Sequence, residues 1–318
     1  MRTPKYLSNT SVSLFYQDRE EFYLRYLADN RPPRMQQTRP MSVGSAFDAY
    51  VKSWLVTRLA LDLKGFGKSE LFEMQVEPHN RDWALIAGQV AFDAYQYSGA
   101  LAALLKELEQ SKDDPQFETT KERVIDGVPL LGKPDVYFIT REDMHVIIDW
   151  KVNGYCSKSG VSPKAGYIQC LDGWDHRTQK QSKTHGLGHK NSQPINVHGI
   201  TINMAAYLED VDITWANQTT LYAWLEGEPV GGKFITGIDQ LACGPKGIRI
   251  ARHRARVSEK FQQLWWFRIK AAWEVIQSGV ILKGDDAIPR QALLDDYHKA
   301  YSGTDPNEKW FQESTREY

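Results

Sequence analysis

The chain is expected to fold as an α/β protein, a central mixed sheet flanked by helices. Three observations carry that expectation. Two β-rich runs, Val136-Tyr137-Phe138-Ile139 and His145-Val146-Ile147-Ile148, flank the polar Thr140-Arg141-Glu142-Asp143 and read as a hairpin. A second hairpin pairs Phe234–Cys243 with Ile248–Val257 around Gly244-Pro245-Lys246-Gly247. Helical periodicity fills much of residues 8–110 and returns at 214–226 and 258–276.

In chain order, residues 8–29 form an amphipathic helix with Leu14, Phe15, Phe22, Tyr23 and Tyr26 near helical spacing, ended by Arg31-Pro32-Pro33-Arg34. A second helix runs from Ser42 to Leu61 and buries Phe47, Val51, Trp54 and Leu55. Residues 70–78 read as a short strand, and Arg81–Gln110 as a long helix broken at Gly99 and stopped at Asp113-Asp114-Pro115. Together these make a helical N-terminal part, 1–112. Asp126-Gly127 between the runs 117–125 and 128–131 signals a two-residue hairpin turn. Pairing Ile125 with Val128 sets Glu118 opposite Asp135, so that 116–152 becomes a three-strand meander. Residues 153–212 form an insertion, rich over 153–200 in Gly, Ser, Gln, Lys and His and without a clear period. The segment 213–279 holds a helix, the second hairpin, and a Ser258-capped helix with Phe261, Trp265, Ile269, Trp273 and Ile276 as its core stripe. A polar tail, 280–318, carries a short helix around 290–301. The whole of 1–318 is taken as one elaborated domain.

Composition sets the outer bounds. A chain of 318 residues with 42% hydrophobic and 25% charged residues can bury a sizeable core. No apolar run approaches a membrane span, and the N-terminus lacks a signal peptide's apolar core, so a cytoplasmic protein without a membrane partner is expected. Cys156, Cys170 and Cys243 fit reduced thiols better than a disulfide framework. With a net charge of −1, nucleic-acid affinity has to come from local patches.

The first hairpin places the chemistry. A register with Ile139 facing His145 sets Asp135 opposite Asp149, with Lys151 on the face of Asp149 and Trp150 turned away. Opposed Cβ atoms lie roughly 5 Å apart. Two carboxylates so placed repel unless a cation bridges them, and a hard divalent ion takes such oxygen ligands. Ile147-Ile148-Asp149-Trp150 is an apolar run, where an unpaired charge is expensive. The alternative is a pair of strand-end charges with Lys151 as a solvated partner.

Other candidates are local patches. Lys158, Lys164, Arg177, Lys180, Lys183 and Lys190 are interleaved with Tyr155, Tyr167 and Trp174, which suits single-stranded nucleic acid or a solvated loop. Arg252, Arg254 and Arg256 share a strand face, as a phosphate-contacting stripe or as edge-strand gatekeepers. Gln218 and Tyr222, four apart, share a helix face. Cys156, Cys170, His176, His185 and His189 match no common zinc module.

Gly132-Lys133-Pro134-Asp135 followed by Asp149-Trp150-Lys151 resembles the PD-(D/E)XK nuclease signature. Three further stretches resemble its RecB-like exonuclease branch. These are Leu7–Phe15 leading to Phe22-Tyr23-Leu24-Arg25-Tyr26, then Val43-Gly44-Ser45-Ala46-Phe47-Asp48 with Asp where His is usual, and Gln218-Thr219-Thr220-Leu221-Tyr222. The resemblance spans roughly residues 7–225, with a long unmatched insertion.

It implies a restriction-endonuclease-like core and Mg²⁺- or Mn²⁺-dependent hydrolysis of DNA phosphodiesters in recombination, repair or replication. Asp135, Asp149 and the Trp150 backbone carbonyl would hold the metal, with Asp48 and Glu118 as further candidate ligands. Asp48 is otherwise an exposed helix residue. Lys151 would position the attacking water, and Gln218 and Tyr222 would support substrate placement. The implied partners are single-stranded DNA or duplex ends and a recombination or replication protein. No iron–sulfur cluster is expected, because the chain cannot supply four cysteines. Exonuclease action is favoured, with an endonuclease, an RNA nuclease or a non-catalytic DNA-binding or assembly module as the alternatives.

Overall fold

The computed structural model describes residues 3–164, 169–172, 174–175, 180–181, 184–187, 194–203, 207–245, 247–279 and 281. The expected tail and its helix lie outside these residues, Ile281 apart. In chain order the helices are α1 (Asn9–Gln17), α2 (Arg19–Phe22), α3 (Arg39–Arg58), α4 (Lys68–Gln75), α5 (Arg81–Tyr97), α6 (Ala100–Leu108), α7 (Leu208–Val211), α8 (Ile213–Leu225) and α9 (Glu259–Ser278). The strands are β1 (Gln116–Phe117), β2 (Lys121–Ile125), β3 (Val128–Gly132), β4 (Val136–Ile139), β5 (His145–Asn153), β6 (Gln169–Asp172), β7 (Trp174–Asp175), β8 (Lys180–Gln181), β9 (Thr184–Leu187), β10 (Pro194–Val197), β11 (Ile200–Asn203), β12 (Ile235–Gly244) and β13 (Gly247–Ala255).

The described residues fall into two compact units. One is drawn from Met1–Gln36, Glu122–Gly132 and Leu264–Tyr318. In it the helix expected over 8–29 is interrupted at Asp18, whose extended backbone ends α1 and whose carboxylate caps α2 by accepting from Glu21 N at 2.9 Å. A π-helical turn, Tyr23–Leu27, follows α2. Leu7 N donates to Pro129 O and Leu131 N donates to Leu7 O, each at 2.8 Å, so the segment before α1 lies along β3. Tyr16 Oη donates to the Arg268 carbonyl at 2.7 Å.

The second unit, Gln37–Lys121 with Lys133–Gln263, contains a seven-stranded mixed sheet in the order β1-β4-β5-β12-β13-β6-β9. Only β5 and β12 run parallel among its pairs; the rest are antiparallel. The β4–β5 hairpin has the expected register, Val136 facing Ile148 and Ile139 facing His145. Thr140 N donates to Met144 O at 2.9 Å to close its loop, with Asp143 in the left-handed region at φ 60°. Side-chain alternation then sorts β5 between two cores. Val146, Ile148 and Trp150 join Phe47, Val51, Leu55, Ala91 and Leu101 from α3, α5 and α6. Ile147 joins Tyr137, Ile238, Trp215, Ala216 and Ala223 under α8. The α3–α5 contact is close enough that a Cβ at Gly88 would collide with Ala46, two residues before Asp48.

Several expectations are corrected. Residues 70–78 do not form a strand: α4 occupies Lys68–Gln75 and buries Leu71 and Phe72. Adjacent apolar residues there lie in one sector of a helix, which reads locally like strand. The long helix does break at Gly99, which takes φ 84° and starts α6. The meander is not continuous. Phe117 faces Val136, which brings Glu118 N to Asp135 O at 3.4 Å as the register required. Glu118 itself adopts φ 54°, however, and beyond it β2 and β3 form a separate two-stranded sheet turned at Asp126-Gly127 (φ 45° and 81°).

The insertion also has more order than its composition suggests. β6 pairs with β13, Arg252 facing Gln169, and β9 pairs with β6. β10 and β11 form a hairpin turned at His198-Gly199 (φ 51° and 81°), with Ile200 and Ile202 fully buried. An exposed sheet edge can recruit strands through the backbone, so no side-chain period is needed. Among the described residues no helix is long and apolar enough to cross a membrane.

Candidate metal centre

Helix α3 starts at Thr38, whose hydroxyl accepts from Met41 N at 3.5 Å, with Pro40 in the first turn. Its i, i+4 pair Asp48 and Lys52 projects toward β4. Lys52 is fully buried (0% exposed). Its Nζ donates to Asp48 Oδ2 at 2.6 Å, to Asp135 Oδ1 at 3.1 Å and to Glu118 Oε1. Gln75 Nε2 donates to Asp48 Oδ2 at 2.9 Å, so α4 also holds this carboxylate. Lys133, on the loop before Asp135, pairs with the other oxygen of Glu118. One oxygen from each of Asp48, Glu118 and Asp135 lies within 4.8 Å of the others.

A second network adjoins the first. Lys151 Nζ lies 2.6 Å from Asp149 Oδ2 and donates to Gln218 Oε1 at 2.8 Å. Gln218 Nε2 donates to Asp149 Oδ1 at 3.1 Å and to Tyr222 Oη at 2.9 Å. Trp150 N donates to Asp135 Oδ2 at 3.2 Å and so ties the two networks together. Behind the strand the Trp150 indole donates to Tyr95 Oη at 3.4 Å, and Tyr95 in turn donates to Asp239.

Electrostatics mark the group as short of positive charge. Four carboxylates (Asp48, Glu118, Asp135, Asp149) face three ammonium groups (Lys52, Lys133, Lys151). Burial pushes Asp149 up to about 7, against the pull of Lys151 and with the help of the Asp135 charge. Burial likewise pushes Asp48 up to about 6 despite Lys52. At Asp135 burial is outweighed by Lys52 and Lys151, and its carboxyl stays below the usual range. Asp48 Oδ1 is buried without a hydrogen-bond partner among the described residues. Three clustered carboxylates with an unused buried oxygen fit a hard divalent ion such as Mg²⁺ or Mn²⁺.

The raised carboxyls would make binding of a cation here proton-linked. Asp48 and Asp149 hold protons below about 6 and about 7, and a cation held by them would require them ionised. Mn²⁺ affinity, followed by isothermal titration, is expected to fall at least ~10-fold from pH 8 to pH 5.5, with proton release on binding. Affinity that is flat across that range would separate these carboxyls from the metal.

The structure thus gathers Asp48, Glu118, Asp135, Asp149, Lys151, Gln218 and Tyr222 in one region, with Trp150 between its halves through its N–H. Lys158 and Lys164 are exposed, and Lys164 Nζ lies 3.4 Å from Asp212 Oδ2. Arg177 and Lys183 fall outside the described residues, and Lys180 is described only as part of β8. The phosphate-contacting stripe is corrected at Arg252 and Arg254. Arg254 is 1% exposed and bonds to Asp239 at 2.7 Å and Glu107 at 2.8 Å; Arg252 is also buried and lies 2.8 Å from Glu107. Asp239 faces Arg252 across the β12–β13 hairpin, whereas Glu107 comes from α6, 147 residues from Arg254, where the strand pattern alone cannot show it. Arg256 is half-buried just past β13. Lys52 was not among the expected site residues. Its signal was a lysine four residues after Asp48 within the buried stretch Ala49–Val56.

No family model and no curated protein matches the chain. Among solved structures it is similar to a protein from Eubacterium rectale named "Putative exonuclease", at TM-score 0.40 and 12% identity, over 94% of each chain. It is also similar to SSO0001 at TM-score 0.24 and 12% identity, over 88% of this chain and 98% of that one. Likeness at these scores carries no functional argument, which therefore rests on the site itself.

Proposed function

We propose that this protein is a metal-dependent nuclease of the PD-(D/E)XK type, in the RecB-like branch, with a restriction-endonuclease-like core. Its reaction is hydrolysis of DNA phosphodiesters, preferentially from ends. The observation that carries this reading is the junction of two networks. The Asp48–Glu118–Asp135 oxygens are linked through Trp150 N to Asp149, Lys151, Gln218 and Tyr222.

Mg²⁺ or Mn²⁺ in this centre would supply Lewis acidity to a phosphate oxygen and to the attacking water. Asp135, Asp48 and Glu118, whose oxygens cluster, would hold the ion, together with Asp149 and the Trp150 carbonyl. The Lys151 ammonium, oriented by Asp149 and Gln218, positions the water and offsets negative charge developing on the phosphate. Gln218 has both ends of its amide engaged, which fixes Lys151 and the Tyr222 hydroxyl relative to Asp149. Of the lysines expected to meet the DNA backbone, Lys158 and Lys164 are described and exposed.

The test is digestion of end-labelled linear DNA and closed circular DNA with Mg²⁺, Mn²⁺ or EDTA, using wild type and Lys151→Ala. Metal-dependent loss of linear DNA only, at least ~100-fold slower in Lys151→Ala, is the expected result. Cutting of the circle would make the enzyme an endonuclease with the same site. DNA bound but never cut would put a non-catalytic DNA-binding module in its place.

A further inference from the structure

Lys52 lies on a helix face with Ala49, Val51 and Leu55 buried around it, and its own side chain is wholly buried. A lysine ammonium offers three donors and no acceptor. Here the three are spent on Asp48, Glu118 and Asp135, one oxygen from each. Those are the residues whose oxygens cluster within 4.8 Å. Carboxylates that close repel unless a positive charge lies among them. A divalent ion binding these oxygens needs them at roughly 2.0–2.6 Å on every side, which leaves no room for an ammonium in the same centre.

We propose that Lys52 is a tethered cation: it holds the three carboxylates together in the metal-free protein and competes with the divalent ion for their oxygens. This deepens the metal-dependent reading and rests on it. Metal entry therefore requires the ammonium to leave the centre. Two features suit that exchange. Lys133 remains paired with Glu118 from the exposed side, so Glu118 keeps a counter-charge when Lys52 withdraws. The Trp150 ring, 5.5 Å from Nζ, offers a neighbouring cation–π face.

The experiment measures Mn²⁺ binding by the paramagnetic resonance of free Mn²⁺, together with melting temperature with and without Mn²⁺. It uses the full chain as wild type, Lys52→Met and Lys52→Arg. Lys52→Met is expected to melt lower than wild type without metal, to gain more from Mn²⁺, and to bind it at least ~10-fold more tightly, the scale of one 1.4 kcal/mol step. Lys52→Arg, which keeps a cation in the centre, should bind no more tightly than wild type. A Lys52→Met protein that folds only in Mn²⁺ is also an expected result, because the ion then replaces the ammonium. Equal or weaker Mn²⁺ affinity in Lys52→Met overturns the proposal, as does a variant that stays unfolded even in Mn²⁺. If neither wild type nor Lys52→Met binds Mn²⁺, the metal-dependent reading itself fails, and the proposal with it.

Discussion

Asp135→Asn is expected to slow metal-dependent hydrolysis by at least ~100-fold while the chain stays folded. Asp135 is the residue on which both networks converge. Its Oδ1 accepts from Lys52 at 3.1 Å, its Oδ2 accepts from Trp150 N at 3.2 Å, and its carbonyl accepts from Glu118 N at 3.4 Å. The amide keeps the shape and one acceptor, which can still take the Trp150 N–H at the strand end, while its NH2 gives up the bond from Lys52. What it removes is the charge best kept ionised in the group, since Asp48 and Asp149 are both pushed upward and Asp135 is not. Initial rates on end-labelled DNA with Mg²⁺, alongside circular dichroism, make the measurement. A rate within threefold of wild type would remove Asp135 from the chemistry.

The largest stability effect belongs to Arg254→Met. The guanidinium is 1% exposed, and it bonds to Glu107 from α6 and to Asp239 on β12. Removing one partner of a buried ion pair leaves uncompensated charge and costs ~3–5 kcal/mol, a large part of a domain's stability. Arg252, 2.8 Å from Glu107 and 3.6 Å from Asp239, offsets some of that loss. The damage reaches the candidate site, because Asp239 also accepts from Tyr95, which accepts from the Trp150 indole beside Asp149. Urea unfolding reads the cost. A change below ~1 kcal/mol would mean that Arg252 alone carries both carboxylates.

Much of the arrangement was legible in the chain. The β4–β5 register follows from two apolar runs and a three-residue loop, because a one-residue slip would turn Val146 and Ile148 away from their core. Gly99 announced its own break, since only glycine takes φ 84° at no cost. Gln218 and Tyr222 could be put on one helix face from their spacing, and they are in fact hydrogen-bonded at 2.9 Å. These are local consequences of periods of 2 and 3.6 residues.

The remainder depended on partners distant in sequence. Arg252 and Arg254 form an alternating basic stripe on paper, yet β13 is interior to the sheet and α6 brings Glu107 against it, so the stripe is buried and neutralised. Lys52 reads as an ordinary helix lysine until α3 is laid against the β1–β4 edge. There, 66 residues from Glu118 and 83 from Asp135, it becomes the centre of three carboxylates. The sequence by itself determined the β4–β5 register, the helix that carries Asp48 and the shared face of Gln218 and Tyr222, but not α4 or the break at Glu118. Only the tertiary structure decided which charges meet in the interior, because a buried ion's state depends on the summed field of groups that no local period connects.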